Sequence, residues 1–217
     1  MSLTATDKGG TEFAITPENT YIGRCYKILD MGTQTSTGMF GTKEQHKVMI
    51  SWELFGEDDN GNPIIMEDGR PFSVTQWYTV SLHEKSKLRA DLEAWRGKKF
   101  TEDELAGFDL SKVLGQYCMI QVVHDESGKY ANVNSIMAYK GKDKPEPVNP
   151  NVVFDIDNPD MEIFNALSDN MKTKITAAPE WKGSKTEAAK PSQPVKEDVV
   201  ITDINEEEPI NLDDIPF

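Results

Sequence analysis

The chain has 217 residues, is 37% hydrophobic and 28% charged, and carries a formal net charge of −14. That length holds one medium domain plus a tail, or two small domains. No run approaches membrane-spanning length, the start lacks the apolar core of a signal peptide, and two cysteines inside apolar stretches, Cys25 and Cys118, argue against a disulfide framework; the expectation is a soluble cytoplasmic protein with no membrane partner.

The charge is unevenly spread. Residues 1–144 hold 17 Lys+Arg and 21 Asp+Glu, giving −4, whereas residues 145–217 hold 6 and 16, giving −10. A near-neutral N-terminal body with one basic face remains compatible with a polyanionic partner.

Residues 1–18 are polar and read as a flexible lead-in. The first strand signal is Tyr21 to Leu29, rich in aromatic and β-branched residues and closed by Asp30-Met31-Gly32. Gly32 to Lys43 holds three Gly and five Thr/Ser and reads as a long mobile loop that carries Met39 and Phe40. The second strand alternates clearly. His46, Val48, Ile50, Trp52 and Leu54 share the parity expected for a core. Lys47, Met49, Ser51, Glu53 and Phe55 share the other, expected to be wet or partner-facing. A turn cluster, Asp58 to Pro63, follows. The third strand is expected from about Phe72 to Ser81. It places Phe72, Val74, Tyr78 and Val80 inward, with Gln76 as an intruder, and leaves Trp77 as a lone large ring among outward hydroxyl residues.

The period then changes. Ser81-x-x-Glu84 reads as a capping box, Leu88, Leu92 and Trp95 as a helical stripe, and Gly97 as the stop. Thr101-x-x-Glu104 opens a second, short helix. Tyr117 to Val123, apolar on both parities, reads as a central strand, Glu126-Ser127-Gly128 as a hairpin turn, and Lys129 to Met137 as the last strand. Five strands with a helix between the third and fourth is the order of an OB-fold barrel, so the expected fold is an all-β core with helices. Residues 19–139 would form this barrel and 140–181 a linker with one docked helix. That helix is capped by Asn158 and Pro159 and striped by Phe164, Leu167 and Met171. Residues 182–217 would be a disordered acidic tail, with eight acids and no Lys or Arg from Glu197 onward.

The sequence offers little for catalysis. Its three histidines, His46, His83 and His124, lie far apart, and no HExxH, CxxC, GxSxG or P-loop pattern occurs. The turn acids Asp58, Asp59, Glu67 and Asp68 fit solvated loops better than a metal site. No enzyme activity, cofactor or metal is expected. An OB barrel instead binds single strands on its second and third strands, closed over by the loops between strands one and two and between strands four and five. The residues at those places are Phe40, Lys43, Lys47, Trp77, Lys129, Tyr130 and Asn132, with Arg24 added as a phosphate ligand. Rings stack on bases and lysines meet phosphates. The bland alternatives are packing for Trp77, an ion pair for Arg24, and dipole compensation for the Arg96, Lys98 and Lys99 cluster at a helix end.

The chain ends in Asp213-Asp214-Ile215-Pro216-Phe217, an apolar tip on an acidic tether. A given five-residue string at one position arises by chance on the order of once in a few million chains. It resembles the terminal motif of bacterial single-stranded DNA-binding proteins. The body is similar to phage-encoded single-stranded DNA-binding proteins in Tyr21-Ile22-Gly23-Arg24-Cys25, Ser51-Trp52-Glu53-Leu54, Tyr78-Thr79-Val80-Ser81-Leu82, Lys85 to Arg89, Leu92 to Phe100 and Pro179-Glu180-Trp181. The resemblance implies a protein of a phage-infected bacterial cytoplasm that coats single-stranded DNA during replication, recombination or repair, as a homo-oligomer or cooperative array. Host or phage replication proteins would dock on residues 213–217, with Phe217 in an apolar pocket and the two aspartates on a basic rim. Two other readings stay open. One is an adaptor or decoy that occupies host tail-binding pockets without DNA. The other is a strand-annealing recombination protein.

Overall fold

A computed structural model of the chain describes residues 14–38, 41–58 and 60–183. Phe40 and the terminal Asp213, Asp214, Ile215, Pro216 and Phe217 lie outside the described residues, as does most of the expected lead-in and tail. Among the described residues the architecture is a mostly antiparallel sheet with four α-helices. In chain order the elements are β1 (Asn19–Gly38), β2 (Gly41–Phe55), β3 (Ser73–Thr79), α1 (Lys87–Arg96), α2 (Glu102–Ala106), a 3₁₀ turn (Leu110–Val113), β4 (Tyr117–His124), β5 (Ala131–Ala138), β6 (Val152–Phe154), α3 (Met161–Ala166) and α4 (Asp169–Ala177).

The strands hydrogen-bond in the order β3-β2-β1-β4-β5, and β6 adds in parallel to β1 at Lys27–Leu29. The outer strands of that path, β3 and β5, come close to each other, but no ladder joins them among the described residues. The inner face follows the parity read from the sequence except at its ends: Val80, expected inward, lies past the end of β3 and is 44% exposed, and His46 is half-exposed beside Asp30. Val48, Ile50, Trp52 and Leu54 of β2 meet Val74 and Tyr78 of β3, Cys25 and Ile28 of β1, and the Leu88, Leu92 and Trp95 stripe of α1. Trp52 is wholly buried, with its ring centroid 5.7 Å from that of Trp95. Gly97 ends α1 in the left-handed region at φ 66°, which a residue with a side chain rarely adopts.

Several expectations are corrected. The supposed loop from Gly32 to Lys43 is a two-stranded ribbon, paired from Thr33↔His46 out to Gly38↔Gly41. Its threonines are β-branched and suit a pleated ladder, with Gly38 and Gly41 paired at the far end and Gly32 at a register shift at the near end. The supposed capping box at Ser81 does not start α1. That helix begins at Lys87 behind Ser86, whose hydroxyl donates to the Ser81 carbonyl (2.7 Å). The Thr101–Glu104 box is reciprocal as expected. The lead-in is held at its end, where Tyr21 Oη donates to the Pro17 carbonyl (2.9 Å) and the His124 ring meets the Thr16 carbonyl (2.8 Å). The single expected C-terminal helix is two: α3 is capped by Asp160 and not Asn158, and Ser168 caps α4 after a break at Leu167. The apolar stripe survives the break, since Phe164, Leu167, Met171 and Ile175 are all buried.

The largest correction concerns the other face of β2. Alternation predicts Met49, Ser51 and Glu53 on a wet or partner-facing side; all three are buried within the chain itself. The C-terminal segment covers this face. Leu29, Met31 and Met49 form a second core with Phe154, Ile156 and the stripe of α3 and α4, and Trp77 and Trp181 pack at its margin. Pro179-Glu180-Trp181 fastens the segment. Trp181 stacks on Phe164 (centroids 4.6 Å), and the Glu180 carboxylate accepts bonds from the Thr33 amide (2.9 Å) and hydroxyl (2.5 Å).

Candidate nucleic-acid interface

The second face of β2 and β3, largely covered by the C-terminal segment, is set by their register. Lys47 lies opposite Thr79, Met49 opposite Trp77 and Ser51 opposite Thr75. Alternation therefore puts Lys47 and Trp77 on one face as neighbours. Lys47 Nζ donates to Thr79 Oγ1 (2.9 Å), and Ser51 Oγ lies 2.9 Å from Thr75 Oγ1. Trp77 is half-buried. Its indole edge packs against the second core, its Nε1 is covered, and Lys174 of α4 stands over the ring with Nζ 4.9 Å from the centroid. The ring therefore serves packing and holds a cation in place. Lys174 was not foreseen, because nothing local in the sequence says that α4 lands on β3.

The remaining sequence-derived residues fall in three places. Lys43 sits exposed on the β1–β2 ribbon, paired with Ser36. Lys129 and Tyr130 occupy the β4–β5 turn. There the Asp125 carboxylate accepts the amides of Lys129 (2.9 Å) and Tyr130 (3.0 Å), leaving the Tyr130 ring 44% exposed. The same amide bonds and the Ser127 hydroxyl hold the Asp125 carboxyl below the usual carboxylate range, the hydroxyl counting most. Asn132 is half-buried on β5 opposite Val123, with its Oδ1 covered.

Arg24 is not on this surface. It is 6% exposed and its Nη1 donates to Glu53 Oε1 at 2.7 Å. Its second terminal nitrogen donates to Asn151. The ion-pair alternative is therefore where the structure puts it, and phosphate binding would need the pair to break. The assembled part of the predicted set is Lys47 and Trp77, joined by Lys174; Lys43 and the Lys129–Tyr130 turn are carried on two separate hairpins.

No group of three or more metal-ligating side chains occurs among the described residues, and no helix among them is long and apolar enough to cross a membrane. The sequence matches no protein-family model, and no curated protein matches it.

Proposed function

We propose that the chain is a non-enzymatic single-stranded DNA-binding protein with an OB-type barrel as its body. The observation that carries the reading is the terminal Asp213-Asp214-Ile215-Pro216-Phe217. The strand order β3-β2-β1-β4-β5, the placement of α1 between β3 and β4, and the approach of β3 to β5 support the barrel. Lys47, Lys174 and Lys43 take phosphates, and the exposed Tyr130 ring stacks on a base. Trp77 supports Lys174 more than it stacks, since that cation already occupies its ring. The terminal five residues recruit replication or repair proteins that offer an apolar pocket with a basic rim.

The test is a fluorescence titration of the full chain with oligo-dT across a salt series. Binding should weaken with salt, and Tyr130→Ala should cost about 1–3 kcal/mol. No binding at low salt would overturn the reading. Removing residues 213–217 should leave DNA affinity equal or tighter and abolish capture of tail-binding proteins.

One observation favours a second reading. The outer face of β1 and β2 is largely taken by α3 and α4, which leaves less sheet for a strand than an open barrel has. An adaptor that binds protein through its body would show no DNA titration while keeping tail-dependent capture.

A further inference from the structure

A second cationic surface lies at the end of α1, away from the β2–β3 face. Arg96, Lys98, Glu104, Phe108, Lys112 and Tyr117 line an open groove of about 390 Å³. Glu104 is the one acid lining it and is already paired with Arg96. The cations are held on rings. The Arg96 guanidinium sits 4.5 Å from the Phe100 centroid and 5.0 Å from that of Phe108. Lys112 Nζ is 5.7 Å from Phe108, and on the rim Lys144 Nζ is 5.3 Å from Tyr117. A cation resting on a ring loses less freedom when an anion arrives. Lys98 and Lys112 themselves are exposed.

The arrangement selects among anions. Cations occupy faces of Phe108 and Tyr117, so those faces are closed both to a base and to the phenyl ring of an acidic peptide. What remains on offer is a cluster of positive charge, which suits backbone phosphates. The groove also connects to the sheet. Tyr117 Oη donates to the Pro145 carbonyl (2.6 Å), and the same linker continues to Asn149, whose amide bonds Glu53 at the foot of the β2–β3 ladder (2.8 Å).

We infer that this groove is a second phosphate track, entered by a single strand longer than the β2–β3 face can hold. The inference rests on the reading of the chain as a single-stranded DNA-binding protein. It makes the occupied length of DNA depend on Lys98 and Lys112, which lie on elements outside the sheet.

The experiment uses the full chain and Lys98→Ala plus Lys112→Ala, with oligo-dT of roughly 8 and roughly 40 nucleotides, lengths within and well beyond the span of one OB-type face. The short oligomer should bind the variant and the unmodified chain alike. The long one should bind the variant about tenfold more weakly at low salt, with a salt slope smaller by about 0.7 for each phosphate that the variant no longer neutralises. Amine acetylation should show Lys98 and Lys112 protected by the long oligomer and not by the short one. Equal affinity of variant and unmodified chain for the long oligomer overturns the groove while leaving the parent reading intact. So does an equal loss at both lengths, which would mark a general charge effect. If the unmodified chain binds neither length, the parent reading falls and the groove with it.

Discussion

Arg24 and Glu53 face each other across β1 and β2 with Nη1 2.7 Å from Oε1, and both side chains are buried. The linker completes the pair: the amide and the side-chain nitrogen of Asn149 each donate to Glu53 Oε2 (2.8 Å), and the Asn149 carbonyl accepts from Arg24 (3.1 Å). A buried pair of this kind contributes little net stability over apolar residues, but losing one partner strands a charge. Glu53→Ala or Arg24→Ala should therefore destabilise the fold by about 3–5 kcal/mol in urea denaturation. Arg24→Met with Glu53→Leu should recover most of that loss. If Arg24→Ala instead kept its stability and flattened the salt dependence of DNA binding, Arg24 would be a phosphate ligand after all.

Trp77 and Lys174 should separate by readout. Trp77→Ala removes packing under α4 and should cost roughly 2–4 kcal/mol of stability. Lys174→Ala should change stability little, since it leaves the apolar packing of α4 in place, and on the proposed reading should weaken oligo-dT binding by removing a charge that meets phosphate. Stability from denaturation and affinity from titration, measured on both variants, check the division.

The Glu180 clasp gives the C-terminal segment an acid dependence. The Thr33 hydroxyl and then the Thr33 amide hold the Glu180 carboxyl below the ordinary glutamate range. A carboxyl with a depressed folded pKa adds stability above its unfolded value, near 4.3, and that stability is lost as pH falls through the folded value. The Thr33 amide resonance should shift over that acid range. Glu180→Gln should abolish the shift and loosen the stack of Trp181 on Phe164. A Gly32→Ala change should weaken the same joint at any pH. Gly32 sits at φ 66°, and an added Cβ would lie 2.6 Å from both Ala178 Cβ and Ile156 Cδ1.

The two cysteines should be inert in the folded chain. Burial pushes the Cys25 thiol up to about 12 and raises that of Cys118 well above the ordinary value. Thiol-reactive dye at neutral pH should label neither until denaturant is added, when both should react. Rapid labelling of the native protein would contradict the packing of β1 against β4.

Local chemistry made much of this fold legible. Alternation in β2 predicted Val48, Ile50, Trp52 and Leu54 as core, and the 3.6 period predicted Leu88, Leu92 and Trp95, because both signals need only the neighbouring residues. The ribbon is not legible as strand because its Gly and Ser content signals a loop as strongly as its threonines signal a ladder. The covered face of β2 is not legible for a different reason. Met49 and Glu53 are covered by residues about a hundred positions later, and no local period carries that information. Of the candidate site, alternation alone puts Lys47 and Trp77 on one face, but not that α4 partly covers it. Lys174 was missed, and Arg24, though its ion-pair alternative was weighed, was put among the DNA ligands because a charge beside strand residues has no signature of its partner.

By itself, then, the sequence determined the succession of five strands with α1 between the third and fourth, most of the inner face and the five-residue terminus, all of which follow from periodicity or from a short string. Only the tertiary structure decided which lysines share a face, that Arg24 is spent on Glu53, and that α3 and α4 close the second side of the sheet. Those outcomes depend on packing between segments far apart in the chain, where burial and pairing are settled by what lands opposite and not by the residue itself.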